Sequence, residues 1–188
     1  MKTAVECATA FVPDVEVVEE SAIRNQNPKA MALTSDGVIY LSDTIPERLS
    51  VAVAYHEVVH AIKQRGNQAY LDFLDTIGER VNLAGDQSGV LDIVVKSRFS
   101  GKTFFELTYP ELDVVYDELN AVIWGCYKDD PENARAQFAD AFTDYDAYIA
   151  ELDAIMEEAR RQNQTPGRRA AWGRRRLGLS GPGQRLHG

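Results

Sequence analysis

Residues 56–60 read His-Glu-Val-Val-His, the pattern HExxH, inside a stretch with the character of a helix. Positions four apart on an α-helix lie on one face, one turn above each other. The imidazoles of His56 and His60 can therefore reach a single metal ion. Glu57 projects from nearly the same face, placed to take a proton from a water that the metal activates. The chain has three histidines and two of them are here. The flanking positions are Ala54, Tyr55, Val58, Val59, Ala61 and Ile62. A helix that buries a metal site needs such uncharged neighbours. An ordinary amphipathic helix with two stray histidines would show a polar face somewhere in 49–62, where Glu57 is the only acid.

Length and charge bound the rest. At 188 residues, with 45% hydrophobic and 26% charged residues, the chain has the composition of a globular protein with a substantial core. It contains no run of 18 apolar residues, so no membrane span is expected. Glu6 interrupts the N-terminal Ala/Val/Phe stretch, so no signal peptide is read there. Cys7 and Cys126 are too few for a disulfide framework, and a reducing, cytoplasmic setting is the simpler expectation. The net charge of −9 is unevenly spread. Residues 1–159 hold 12 of the 20 basic and all 29 acidic residues, a balance of −17, whereas 160–188 carry +8. Residues 1–162 are read as one domain. Residues 163–188, rich in Gly and Arg, read as a disordered basic tail. The acidic body repels nucleic acid, and any contact with it would be a weak one through the tail.

Local signals give an α+β expectation: a small N-terminal sheet followed by a helical bundle. Residues 15–19 alternate loosely as a first strand. Residues 30–34 and 37–42 form a hairpin that turns at Ser35-Asp36-Gly37. Pro46 and Glu47 open the HExxH helix, which stops at Gly66. Asn67 caps a helix over 68–84, and a short helix lies near 88–98. Pro110 opens a helix to about residue 127, Pro131 opens one over 131–142, and 144–162 forms the last.

A catalytic zinc needs a third protein ligand and an open position. A further ligand ten residues after His56 is excluded, since Gly66 stands there. His187 sits in the tail, and a lone Cys126 reads as a small buried hydrophobe. Two acids remain. Glu118 lies on an apolar helix with Leu112, Val115, Leu119, Val122, Ile123 and Trp124, where a carboxylate is expensive to bury unless paired or metal-bound. Glu79, between Gly78 and Arg80, has the ordinary explanation of a surface acid. Glu118 is preferred and Glu79 stays as the alternative. Ala121 and Gly125, three and seven residues on, are small enough to let this helix approach the HExxH helix closely.

The hairpin strand GVIYLS, the HExxH helix and the later DELNAVIWG element together resemble the small gluzincin metallopeptidases, over roughly residues 30–127. Among these the chain is most similar to metallopeptidase domains assigned to phage and mobile-element polyvalent proteins. The resemblance implies a zincin-like fold, His56, His60 and Glu118 as zinc ligands, and Glu57 as general base. It also implies an edge strand, here Val38, Ile39, Tyr40 and Leu41, that aligns an extended peptide by backbone pairing. Such families often carry an Asp four residues after the ligand Glu to orient a histidine. Val122 stands there instead, so the orienting acid must come from elsewhere, with Asp113 and Asp117 as candidates.

The expected activity is zinc-dependent hydrolysis of a protein or peptide substrate, with Tyr109 and Tyr116 as candidate oxyanion donors. The rival expectation is a binding or regulatory module of a mobile element that keeps the zinc fold without general proteolysis. A third is a piece of a larger polyprotein that cleaves its own linkers. One prediction concerns the tail. Residues 163–188 hold six glycines and few core-sized side chains, so ordering them would not be repaid. Deleting them should leave the thermal midpoint and metal content unchanged, and a midpoint lowered by several degrees would place them inside the domain.

Overall fold

A two-residue turn organises the sheet. The computed structural model describes residues 1–164. In it, β2 (Ala32–Ser35) and β3 (Val38–Ser42) pair antiparallel, with Ser35 opposite Val38. Asp36 and Gly37 between them have φ of 52° and 73°, the left-handed pair that a tight hairpin matching strand twist demands. The turn is fastened to the end of α3 (Glu47–Gln64). Gly37 N–H donates to the Gln64 side chain at 2.9 Å, and Arg65 donates to the Gly37 carbonyl at 2.8 Å. This docking lays β2 beside the HExxH helix.

A third strand, β1 (Val15–Val18), pairs parallel with β3, so the sheet order is β1-β3-β2. That corrects one expectation. Val38, Ile39, Tyr40 and Leu41 belong to the middle strand, hydrogen-bonded on both sides, and Ile39, Tyr40 and Leu41 are buried. They offer no free edge to a peptide. The apolar run VIYL marks a strand buried on both faces, as central strands are; the edge beside α3 is β2.

The helices follow their capping signals. α3 ends where Gly66 takes φ 68°. The Asn67 side chain accepts from Tyr70 N–H and opens α4 (Gln68–Leu74). The helix expected over 68–84 is broken here and resumes only as α5 (Ile77–Arg80). Beyond it Val81 pairs with Phe142, while Asn82 N–H donates to Ala141 and Thr143 N–H to Arg80. These long-range bonds outweigh helical periodicity. The Asp86 carboxylate accepts from Val90 and Leu91 N–H at the start of α6 (Val90–Arg98). Thr108 and Glu111 form a capping box around Pro110 and open α7 (Tyr109–Asp129). Asp130 caps α8 (Pro131–Phe138), which stops short of 142 in a 3₁₀ turn. The final α9 (Tyr145–Gln164) runs two residues past the expected boundary. The rest of the basic tail, with Trp172 and His187, lies outside the described residues.

The chain does not begin with strands. α1 (Lys2–Phe11) precedes them, burying Ala4, Ala8 and Phe11 against α3 and α9. Two of those three are alanines, too small to mark an apolar stripe. Phe11, Tyr55 and Trp124 meet edge to face at 5.2–5.9 Å, tying α1, α3 and α7 together. Among the described residues no helix is long and apolar enough to cross a membrane.

The α3–α7 seam is closest at Gly125. A Cβ there would lie 2.6 Å from the Ala52 carbonyl oxygen and 3.3 Å from the His56 nitrogen. Ala52 O is backbone and cannot swing away. Gly125→Ala gains about 1 kcal/mol in helix propensity but overpacks a tight contact at a cost of about 1–3 kcal/mol. Chemical denaturation should therefore show a net loss of stability. A gain would mean that the two helices are free to separate.

Candidate metal centre

α3 and α7 bring His56, His60 and Glu118 into one cluster, in the geometry that could hold a metal ion. The Nε2 atoms of the two histidines are 3.1 Å apart. His56 Nε2 lies 3.7 Å from Glu118 Oε1, and His60 Nε2 lies 3.4 Å from Glu118 Oε2. Ligands bonded at about 2.1 Å in a tetrahedral arrangement stand about 3.4 Å from each other. The three separations bracket that value, so the residues present fit one ion. Glu79 is exposed on α5 and outside the cluster. Cys126 lines the same cleft but is not part of the donor group.

The site is held by partners that fix each side chain. Asp117 Oδ2 accepts from His60 Nδ1 at 2.8 Å. This supplies the orienting acid that position 122 lacks, and it comes from the residue next to Glu118. Val122 lines the cleft. Asp113, the other candidate, pairs with Lys63 at 3.0 Å. Asp117 is itself buried and accepts from the Tyr70 hydroxyl at 2.9 Å. Glu57 is buried, and the Thr34 hydroxyl from β2 lies 2.7 Å from its Oε2. Its Oε1 has no hydrogen-bond partner among the described residues. Arg98, at the end of α6, donates to Glu118 Oε2.

Charges in the metal-free cluster are strongly coupled. Burial disfavours a charged His60, but hydrogen bonds to Asp117 and Glu118 outweigh it and raise the ring to about 10. His56 moves the other way, lowered by burial and then by the His60 charge. Burial opposes ionisation of Glu118, yet His60, His56 and Arg98 together hold it down to about 2. The pair of imidazoles thus carries one positive charge, and the added proton lies between the two Nε2 nitrogens that a metal would occupy.

A cleft of about 760 Å³ opens over the cluster. Its walls include Met31 with the β2 residues Ala32, Leu33 and Thr34, and Arg98 with Val114. Neither tyrosine expected as an oxyanion donor lines it. Tyr109 is exposed and reaches Asp75 at 3.4 Å. Tyr116 packs against Gly78 and Phe104. Sequence reasoning missed Thr34, Tyr70 and Arg98. Each comes from a different element, and only folding brings them near residues 56–60. Compared with known family models, curated proteins and solved structures, the chain matches none.

The shared proton makes metal binding a competition. His60 keeps its proton below about 10, and a ligating imidazole must lose it. Apparent affinity for added zinc should therefore rise about tenfold per pH unit between about pH 6 and pH 8, with one proton released per ion. Calorimetry in buffers of different ionisation enthalpy measures that release, and an affinity flat with pH would show that His60 holds no added proton in the metal-free protein.

Proposed function

We propose that the protein is a zinc-dependent peptide hydrolase with a gluzincin-like centre on a zincin-like arrangement of helices. The observation that carries this reading is the convergence on one cleft of three metal donors and a separate buried carboxylate, Glu57. Two imidazoles and one carboxylate in tetrahedral spacing are the donor set of an open catalytic zinc site. A closed structural site would use four protein ligands, and among the described residues three are grouped.

In this reading His56, His60 and Glu118 hold the ion, which when bound supplies Lewis acidity and draws the pKa of water towards about 7. Glu57 accepts the proton from the attacking water through its free Oε1 and delivers it to the leaving amine. Thr34 holds the other oxygen, so the carboxylate keeps one orientation through both transfers. Arg98 takes the place expected of Tyr109 and Tyr116. It pairs with Glu118 through one nitrogen, and its other guanidinium donors, which have no partner among the described residues, can meet a developing oxyanion.

The substrate would lie extended along β2. This strand borders the cleft, and among the described residues no strand pairs with its outer side, where Gln64 Nε2 donates to the Thr34 carbonyl at 3.2 Å. A peptide added there gains main-chain hydrogen bonds, with side chains meeting Met31 and Leu33. Glu57→Gln tests the chemistry apart from binding. With a mixed peptide substrate set, cleavage should fall about 10²-fold or more while zinc content stays at the parent's level. Cleavage equal to the parent's would remove Glu57 as the base.

A further inference from the structure

A line of buried polar groups runs from the candidate centre through the core to α9. His60 Nδ1 meets Asp117 Oδ2 at 2.8 Å, and Asp117 Oδ1 accepts from the Tyr70 hydroxyl at 2.9 Å. The Tyr70 oxygen accepts from Asn120 Nδ2 at 3.3 Å, and Asn120 Oδ1 accepts from the Tyr148 hydroxyl at 2.7 Å. Tyr70, Asn120 and Tyr148 are fully buried and Asp117 is 8% exposed. Four elements contribute: α3, α4, α7 and α9.

The donors in this line all point one way. A carbonyl oxygen only accepts, so the Tyr148 hydroxyl must spend its one proton on Asn120. The Asn120 amide is thereby turned with its NH₂ towards Tyr70. An NH₂ only donates, so the Tyr70 oxygen accepts there and its own proton goes to Asp117. Asp117 is left as an acceptor on both oxygens, and the group facing it from α3 must be a donor. His60 is thus held with hydrogen on Nδ1, leaving Nε2 as the nitrogen that can bind a metal. Lys63, from α3, also faces Asp117 Oδ2 at 3.7 Å. It too is donor-only and does not alter the direction.

We infer that Tyr70, Asn120 and Tyr148 are positioning residues for the metal centre, and that Tyr148 on α9 sets the ring orientation of His60 through three intervening side chains. The inference rests on the metal-site reading above. It makes α9 part of the working site although no α9 residue lines the cleft. It also accounts for three polar side chains in a core where each unpartnered group would be costly.

The test uses Tyr70→Phe and Tyr148→Phe in the full chain, each removing one hydroxyl. Tyr145→Phe serves as the control, because its buried hydroxyl on the same helix has no partner among the described residues. Zinc affinity is measured by chelator competition below each variant's unfolding temperature. Exchange of the His60 Nδ1 proton is followed by NMR in the metal-free protein. Tyr70→Phe should weaken zinc about tenfold and Tyr148→Phe about threefold. Both should speed exchange of the Nδ1 proton, and Tyr145→Phe should do neither. Unchanged affinity and exchange in either relay variant overturns the inference, as does an equal loss in Tyr145→Phe, which would mean general loosening of the core. Were the parent to bind no zinc, the functional reading would fall, and Nδ1 proton exchange would still decide for or against the relay.

Discussion

Everything at the candidate centre depends on how closely α7 lies on α3. Gly125 sets that distance by leaving the Ala52 carbonyl and the His56 amide where a Cβ would otherwise be. Glu118 sits two helical turns before Gly125, on the same side of α7. A helix held further out would carry its carboxylate away from both Nε2 atoms. The spacing of 3.1–3.7 Å among the donors is thus a packing result before it is a chemical one. Trp124, Tyr55 and Phe11 brace the same seam from behind.

Close packing forces a second problem, which is charge in a dry place. Glu57 and Asp117 are buried and Glu118 nearly so, within a core that is mostly aliphatic and aromatic. Unpaired, each would be strongly destabilising. The fold gives every one a partner: Thr34 for Glu57, His60 and Tyr70 for Asp117, Arg98 and the imidazoles for Glu118. Apart from the imidazoles of α3, these partners come from β2, α4 and α6, so the periphery of the domain is recruited to hold a few side chains on two helices. The same contacts set the direction of each shift, up for His60 and down for Glu118.

The sheet does related work at the other wall. Gln64 and Arg65, at the end of α3, grip the turn at Gly37, and Arg65 also reaches Asp14 at 3.1 Å, just before β1. One helix terminus therefore fixes both outer strands against the middle one. Thr34 is delivered to Glu57 from the strand side, and the cleft acquires a straight polar-backbone edge.

Much of this was written locally. The HExxH spacing placed two imidazoles on one helical face, Asp36-Gly37 specified the hairpin turn, and Pro46, Asn67, Pro110 and Pro131 marked helix starts, because caps and turns are settled within a few residues. The preference for Glu118 over Glu79 was also legible, since an acid among Leu, Val and Trp needs a reason to be there. What only the tertiary structure decided involves partners distant in sequence. β3 became central because it pairs with the earlier β1 as well as with β2, and its apolar run does not say which strands flank it. The helix over 68–84 broke because Val81 found Phe142. Asp117 rather than Asp113 came to hold His60, and Arg98 rather than Tyr109 or Tyr116 came to line the cleft. Side-chain hydrogen bonds act over about 3 Å, and a sequence carries no record of which residues tens of positions apart will come within that distance.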